Sequence, residues 1–206
     1  MSMKNVYLIR HGETEYNAKG IIQGGGLDSN LTDAGEQQAI LLMERLKREN
    51  FVCDKIYSSP VGRAKRTAEI CSSYLNQPIQ LDELLLEIGC GEYEGIEIAS
   101  IPKDKLERLR ISEFEKYPGG ECVDDVKKRG EKFIEKYFQK NDETILIVSH
   151  GNYIRSFACA LLGVPSSFAL KVFMDNTGFS YFSKVNEIYR MIFWNDTSHL
   201  HSIKKL

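Results

Sequence analysis

The sequence predicts an α/β protein with a mainly parallel sheet covered by helices on both faces, and three observations lead there. Short apolar runs alternate with amphipathic helical stretches through most of the 206 residues. Two of these runs, Val6-Tyr7-Leu8-Ile9 and Ile145-Leu146-Ile147-Val148, read as buried strands. Each leads directly into a histidine followed by a glycine, His11-Gly12 and Ser149-His150-Gly151. Both histidines are thereby delivered to the carboxyl ends of strands, where open α/β sheets bind ligands.

Taken in order, the first strand ends at Arg10-His11-Gly12-Glu13-Thr14. The segment from Ile21 to Asn30, rich in Gly, Gln and Asn, reads as a loop. Thr32 is a plausible N-cap for the helix that follows, with Asp33 in its first turn to suit the helix dipole. That helix places Ala39, Met43 and Leu46 on one face and Glu44, Lys47 and Arg48 toward water. A short strand, Lys55 to Ser58, leads to Ser59-Pro60, which reads as a serine cap with proline in the first turn of a second helix. The apolar stripe of this helix is Val61, Ala64, Ala68, Cys71 and Leu75, and Arg63 lies off it, near the helix's positive end.

A strand from Ile79 to Leu81 precedes an irregular, acidic, glycine-rich segment holding Glu87, Glu92 and Glu94. A weak helix from Asp104 to Tyr117 is stopped by Pro118-Gly119-Gly120. A longer helix presents Val123, Val126, Phe133, Ile134 and Tyr137 on one side. Strand Thr144 to Ser149 carries the second histidine, and a helix from Asn152 to Leu162 ends at Gly163 before Pro165. Strands at Leu170 to Phe173, Phe179 to Phe182 and Ile188 to Trp194 give the sheet an antiparallel finish. With neither a linker nor a repeat in view, residues 1–206 are expected to form a single domain.

Composition narrows the class. With 42% hydrophobic, 27% charged and 10% aromatic residues the chain reads as an ordinary globular protein. A formal charge of −2 leaves no electrostatic footprint for nucleic acid or an anionic membrane, so any anion site must be a local cluster of cations. The longest apolar run, Phe157 to Val164, falls far short of the ~18 residues of a membrane helix. Met1-Ser2-Met3-Lys4 leads into a run too short for a signal sequence. Five cysteines, an odd number without a CxxC pair, fit reduced thiols and a cytoplasmic protein.

Each candidate residue has a bland reading when taken alone. Arg63 beside Lys65 and Arg66 could be a solvated helix face, and Glu87 one acidic contact among several. The set is more coherent: two histidines, two arginines and a carboxylate, without a cysteine or aspartate constellation suited to a metal. Arginine pairs with phosphate oxygens through a planar fork that lysine lacks. A neutral imidazole can attack phosphorus while a second histidine binds an oxygen. Gly12 and Gly151 would let the backbone approach an oxyanion. No GxxxxGK[ST] loop is present, and Gly89-Cys90-Gly91-Glu92-Tyr93-Glu94-Gly95 fails the dinucleotide spacing. His199 and His201 form the one close histidine pair, without a third ligand of the kind zinc demands.

Arg10-His11-Gly12-Glu13-Thr14, followed by Asn17, resembles the signature of the histidine phosphatase (phosphoglycerate mutase-like) superfamily. The resemblance continues through Gln23-Gly24, Leu31 to Ala39, Ser58-Ser59-Pro60 to Arg63-Ala64, and Thr67-Ala68. It resumes at Glu87, Gly91, Glu94-Gly95, Pro118 to Glu121, Ser149-His150-Gly151 and Asn195 to Leu200, and so spans almost the whole chain in order. It implies a three-layer α/β/α sandwich with a short cap segment at about 92–122. It implies that His11 is the nucleophile and Glu87 the proton donor. By the same resemblance Arg10, Arg63 and His150 bind the transferring phosphoryl group, with Asn17, Gln23 and the Gly151 amide nearby. No cofactor and no metal are implied.

The departures are Tyr93, where relatives often have tryptophan, and Cys122, where many have serine. Both are expected near the entrance and bear on substrate choice. Mutases of the family carry a longer insertion between the acid and the second histidine. Here only Gly95 to Tyr117 is available, which favours a phosphatase acting on a small phosphorylated metabolite. Tyr93, Ile96, Ile98 and Tyr117 would give it partly apolar walls. The alternatives are a cofactor-dependent phosphoglycerate mutase and a non-catalytic phosphate-binding scaffold. The sequence leaves the oligomeric state open.

Overall fold

The computed structural model describes residues 4–139 and 143–205; Met1 to Met3, read above for a signal sequence, lie outside them. Six strands form one sheet: β1 (Lys4–Arg10), β2 (Lys55–Ser58), β3 (Ile79–Leu81), β4 (Glu143–Ser149), β5 (Phe179–Val185) and β6 (Ile188–Asp196). Their order across the sheet is β3-β2-β4-β1-β5-β6. The first four run parallel, β5 runs antiparallel to β1, and β6 antiparallel to β5. The helices are α1 (Glu15–Ala18), α2 (Asp33–Arg48), α3 (Gly62–Leu75), α4 (Lys103–Ile111), α5 (Val123–Tyr137) and α6 (Gly151–Leu162).

The sandwich follows from the two-residue period of a strand. Along β4, Ile145 and Ile147 pack with Val126, Phe133, Tyr153 and Phe157 of α5 and α6. Leu146 and Val148 point the other way and pack with Leu42 and Leu46 of α2 and with Ala68 and Cys71 of α3. Buried on both faces, β4 needs the unbroken apolar run seen in its sequence.

Several local expectations give way to tertiary contacts. The buried face of α2 is centred on Ala39, Leu42 and Leu46, with Met43 only half-buried at its side. Arg45 joins that face, held by Glu49 at 2.8 Å and Asp196 at 2.7 Å. Thr32 does cap α2, accepting from the Gly35 amide at 3.0 Å. Ser59 does not cap α3, whose N-cap is Val61. Helix α4 stops at Ile111 instead of reaching Tyr117. Residues Leu170 and Lys171 end a 3-10 turn, Ser166–Lys171, where a strand was expected, because the carbonyls of Ala169 and Val172 are taken by Arg155. Gly163 ends α6 with φ 65°, a left-handed conformation that favours glycine.

Candidate active site

Strands β1 and β4 are parallel neighbours with Arg10 paired to Ser149, so the residues that follow them, His11 and His150, emerge side by side. Their ring centroids lie 5.1 Å apart. The His11 amide donates to the Ser149 carbonyl at 3.0 Å, which extends the ladder one step and fixes the nearer histidine. On the far side of β4, the Ser59 amide donates to Val148 O at 3.0 Å and brings the start of α3 to the same edge.

The hydrogen bonds of His11 determine its tautomer. Nδ1 lies 2.7 Å from the Gly12 carbonyl, which can only accept. Nε2 lies 3.3 Å from Arg63 Nε, which can only donate. The proton therefore sits on Nδ1, and Nε2 carries a lone pair toward the guanidinium. Burial holds the His11 pKa well below the usual imidazole value, and the charges of Arg10 and Arg63 push it further down. The ring is neutral at pH 7.

His150 is fully buried, at 0% exposure against 3% for His11. Its Nε2 lies 2.8 Å from Ser59 Oγ, while Nδ1 is buried without a hydrogen-bond partner among the described residues. A hydroxyl that donates to Nε2 leaves the His150 proton on Nδ1. Burial, then the Arg63 charge, also holds this imidazole neutral.

The bland reading of Arg63 as part of a solvated helix face fails. Arg63 is 2% exposed, because a distant loop supplies its partners. Nη2 donates to Gly24 O and Nη1 to Leu27 O, both at 2.8 Å, and Asp28 lies 3.2 Å from Nη1. Arg10 Nη1 donates to Met174 O at 2.7 Å, and its Nε is buried without a partner among the described residues. Burial lowers the pKa of both arginines, and Glu87 is the strongest charge opposing that loss.

Glu87 also holds the start of α6. Its Oε1 accepts from the amides of Tyr153 (2.9 Å) and Ile88 (2.8 Å), and Oε2 from the amide of Asn152 (3.2 Å). His150 makes no side-chain cap there, so Glu87 supplies from outside the helix what an N-cap side chain would supply.

Arg10, His11, Asn17, Gln23, Arg63 and Glu87 all line one cavity of about 630 Å³. His150 and Gly151 are not among its lining residues. A Cβ on Gly151 would stand 3.4 Å from Arg10 Nε, so that glycine lies against the arginine. Gly12 is explained by packing, not by an oxyanion: a Cβ there would stand 2.5 Å from Gly35 O, and its amide donates to Thr67 Oγ1 at 3.1 Å. Gln23 is tied at both ends, to Thr14 Oγ1 (2.9 Å) and Ser29 Oγ (3.0 Å). Asn17 accepts from the Thr14 amide in a capping box on α1. Of the cap residues, Ile98 and Tyr117 line the cavity, while Tyr93 packs edge-on against Tyr117 at 5.9 Å. Cys122 is buried at the N-cap of α5 instead of standing at an entrance.

Some residues of this region went unread in the sequence. Asn176 Nδ2 donates to the His11 carbonyl at 2.9 Å, and the Thr177 amide to Arg10 O at 3.0 Å. Thr177 has φ 53°, costly for a β-branched residue and held here by those bonds. His199, from the expected tail pair, is buried against Thr177 Oγ1 at 3.0 Å. Arg155, an arginine within the apolar helix α6, lines the cavity with Asn152. Its place in the run Tyr153-Ile154-Arg155-Ser156-Phe157 was the available signal.

A cavity at the parallel-strand ends, walled by paired arginines and a neutral histidine, defines an oxyanion-handling α/β protein. Residues 6–197 match the model of the histidine phosphatase superfamily (branch 1), and the chain belongs to that family. It is 35% identical over 205 residues to a Hydrogenobacter thermophilus protein provisionally named phosphoserine phosphatase 2, covering 98% of this chain and 100% of that one. It is 34% identical over 169 residues to a Salmonella choleraesuis protein named as a probable phosphoglycerate mutase, GpmB, covering 80% and 77%. The solved structure of an Entamoeba histolytica phosphoserine phosphatase variant with phosphoserine superposes with a TM-score of 0.83 at 30% identity, covering 96% of this chain and 99% of that one.

Proposed function

We propose that this protein is a phosphoric monoester hydrolase that acts on a small phosphorylated metabolite through a phosphohistidine on His11, without a metal. The observation that carries the reading is the tautomer of His11: a neutral imidazole whose Nε2 lone pair faces a guanidinium inside the cavity. Nε2 attacks the phosphorus, an N–P bond forms, and the ester O–P bond breaks. The leaving oxygen takes a proton from Glu87. Water then attacks the phosphohistidine, gives a proton to Glu87 and releases inorganic phosphate. Arg10, Arg63 and the Nδ1–H of His150 take the charge that develops on the nonbridging oxygens, worth about 3 to 4 kcal/mol for each preorganised donor. Asn17, Gln23 and the Gly151 amide complete the phosphate surroundings in this reading.

The chain is read as a single cytoplasmic domain. One sheet with helices on both faces and five free, buried cysteines support that. Among the described residues no helix is long and apolar enough to cross a membrane.

The test is release of inorganic phosphate, with excess chelator, from p-nitrophenyl phosphate, phosphosugars, phosphoserine and phosphoglycerates. Chelator-resistant turnover that disappears in His11→Ala is the expected result. Phosphoryl exchange between phosphoglycerates without release would move the assignment to a mutase. Binding without either reaction would leave a phosphate-binding scaffold.

A further inference from the structure

Arg155 is a cation of the cavity wall that the phosphoryl chemistry above does not use. It lies on α6 four residues beyond Gly151, the glycine on which the Arg10 guanidinium packs, so the two backbone positions are about 6 Å apart along the helix axis. Nη1 donates to the carbonyls of Ala169 (3.2 Å) and Val172 (3.3 Å), and Nη2 to Asn152 Oδ1. These bonds hold the head group in place and leave Nε–H and the second Nη2 hydrogen as the donors it can present. Burial works against its charge, and the strongest charge opposing that effect is Glu87. Glu87 has the same standing for Arg10 and Arg63, so one carboxylate is the leading opposing charge for three guanidinium groups.

A phosphoryl dianion at His11 answers Arg10 and Arg63, and Arg155 forms no salt bridge among the described residues. The cavity lining includes Leu106 and Leu109 from α4, Leu170 and Phe173 next to the carbonyls that anchor Arg155, and one carboxylate besides Glu87, that of Glu115. Helix α4 packs on the Ser166–Lys171 turn that holds Arg155, and it brings Arg110, a second and exposed cation, to the cavity lining. We propose that Arg155 forms a second anion site in this cavity, which takes the carboxylate of a short phosphorylated carboxylic acid while its phosphoryl group lies against His11. The placing of the phosphoryl group rests on the function proposed above. A guanidinium held by main-chain carbonyls suits a carboxylate better than a neutral hydroxyl, because a charged acceptor shortens and strengthens the bond. Arg10, His11, Arg63 and Arg155 line the same cavity of about 630 Å³, which suits a short acid with few atoms between phosphate and carboxylate.

The experiment compares phosphoserine with phosphoethanolamine, which lacks only the carboxylate. Binding is measured by calorimetry on His11→Ala protein, so that no turnover intrudes. A preference for phosphoserine of about tenfold to a hundredfold is expected, the worth of one charge-assisted pair. Adding Arg155→Gln should abolish it. Equal affinities with Arg155 intact, or an unchanged preference in Arg155→Gln, would overturn the proposal. If the glutamine variant fails to fold, Arg155→Lys replaces it; a several-fold smaller preference is expected there, and an unchanged one counts against the site. Phosphate release by the protein with His11 intact is scored separately. A carboxylate preference without release sinks the hydrolytic reading and keeps the anion site; release without the preference does the reverse.

Discussion

His11 and His150 occupy equivalent places, one residue past the ends of adjacent parallel strands, yet their rings meet different hydrogen-bond partners. His11 spends its proton on a main-chain carbonyl, and its Nε2 meets a cation that can only donate. His150 meets a serine hydroxyl through Nε2 and keeps an unpartnered Nδ1 inside the protein. In the function proposed above, the same residue type at the same sheet position acts as an electron-pair donor in one case and a proton donor in the other. Strand ends decide where a histidine goes; the second partner of each ring decides what it can do.

The comparison breaks most visibly under alanine. With the reading proposed above, His11→Ala removes the attacking atom and should lower kcat by roughly 10⁴-fold or more, the scale seen when a covalent nucleophile is lost. No acid-labile phosphoenzyme should accumulate after rapid quench with labelled substrate. His150→Ala removes one donor to the developing charge and should cost about 10²- to 10³-fold in kcat. It should still form the phosphoenzyme. Equal losses in the two variants, or a trapped intermediate in His11→Ala, would erase the distinction.

Both histidines share one property, neutrality by burial, and stability against pH reads it out. Their folded pKa values lie well below the ordinary 6.5, and that of His199 falls to about 4 under burial and the nearby Arg45 charge. Below pH 6.5 the unfolded chain binds protons at these three positions that the folded chain does not. Stability is therefore present above pH 6.5 and falls as the pH drops toward 4. Each histidine contributes up to about 1.4 kcal/mol per pH unit. Urea unfolding from pH 7 to 5 should show a slope smaller by up to that amount in His150→Ala. An unchanged slope would mean that His150 takes up its proton equally in both states.

Much of this was legible in the sequence, for a reason that also marks where legibility ends. β1 and β4 are buried on both faces, so their apolar runs and the histidines that follow are written as continuous local patterns. The burial of Arg63 was not, because it depends on the carbonyls of Gly24 and Leu27, contributed from more than thirty residues away. Ser59 looked like a helix cap from its neighbours alone, and its role as partner to His150 depends on a contact across 91 positions of sequence. The expected strand at Leu170 to Phe173 has β-forming residues, and a side chain from α6 takes the carbonyls of Ala169, just before it, and Val172, within it. Local periodicity reports which face is buried. It does not report which distant polar group answers a buried donor.

Ser59→Ala offers the finest cut, because it alters the partner of one histidine and leaves both rings in place. The Ser59 amide still pairs with Val148 O, so the strand end should hold its course. Without the hydroxyl, nothing at Nε2 fixes the His150 tautomer, and the Nδ1–H form loses its advantage. A neutral hydrogen bond is worth about 1 kcal/mol, so a loss of roughly fivefold in kcat is expected. Nitrogen NMR of the imidazoles checks the cause directly. In the unaltered protein Nδ1 of His150 should carry the proton, and in Ser59→Ala the two nitrogens should share it. His11, whose proton is fixed by Gly12, should keep its signals in both proteins. A proton found on Nε2 of His150 with Ser59 present would reverse the assignment, since the ring would then donate to serine and carry a lone pair, not an N–H, at Nδ1.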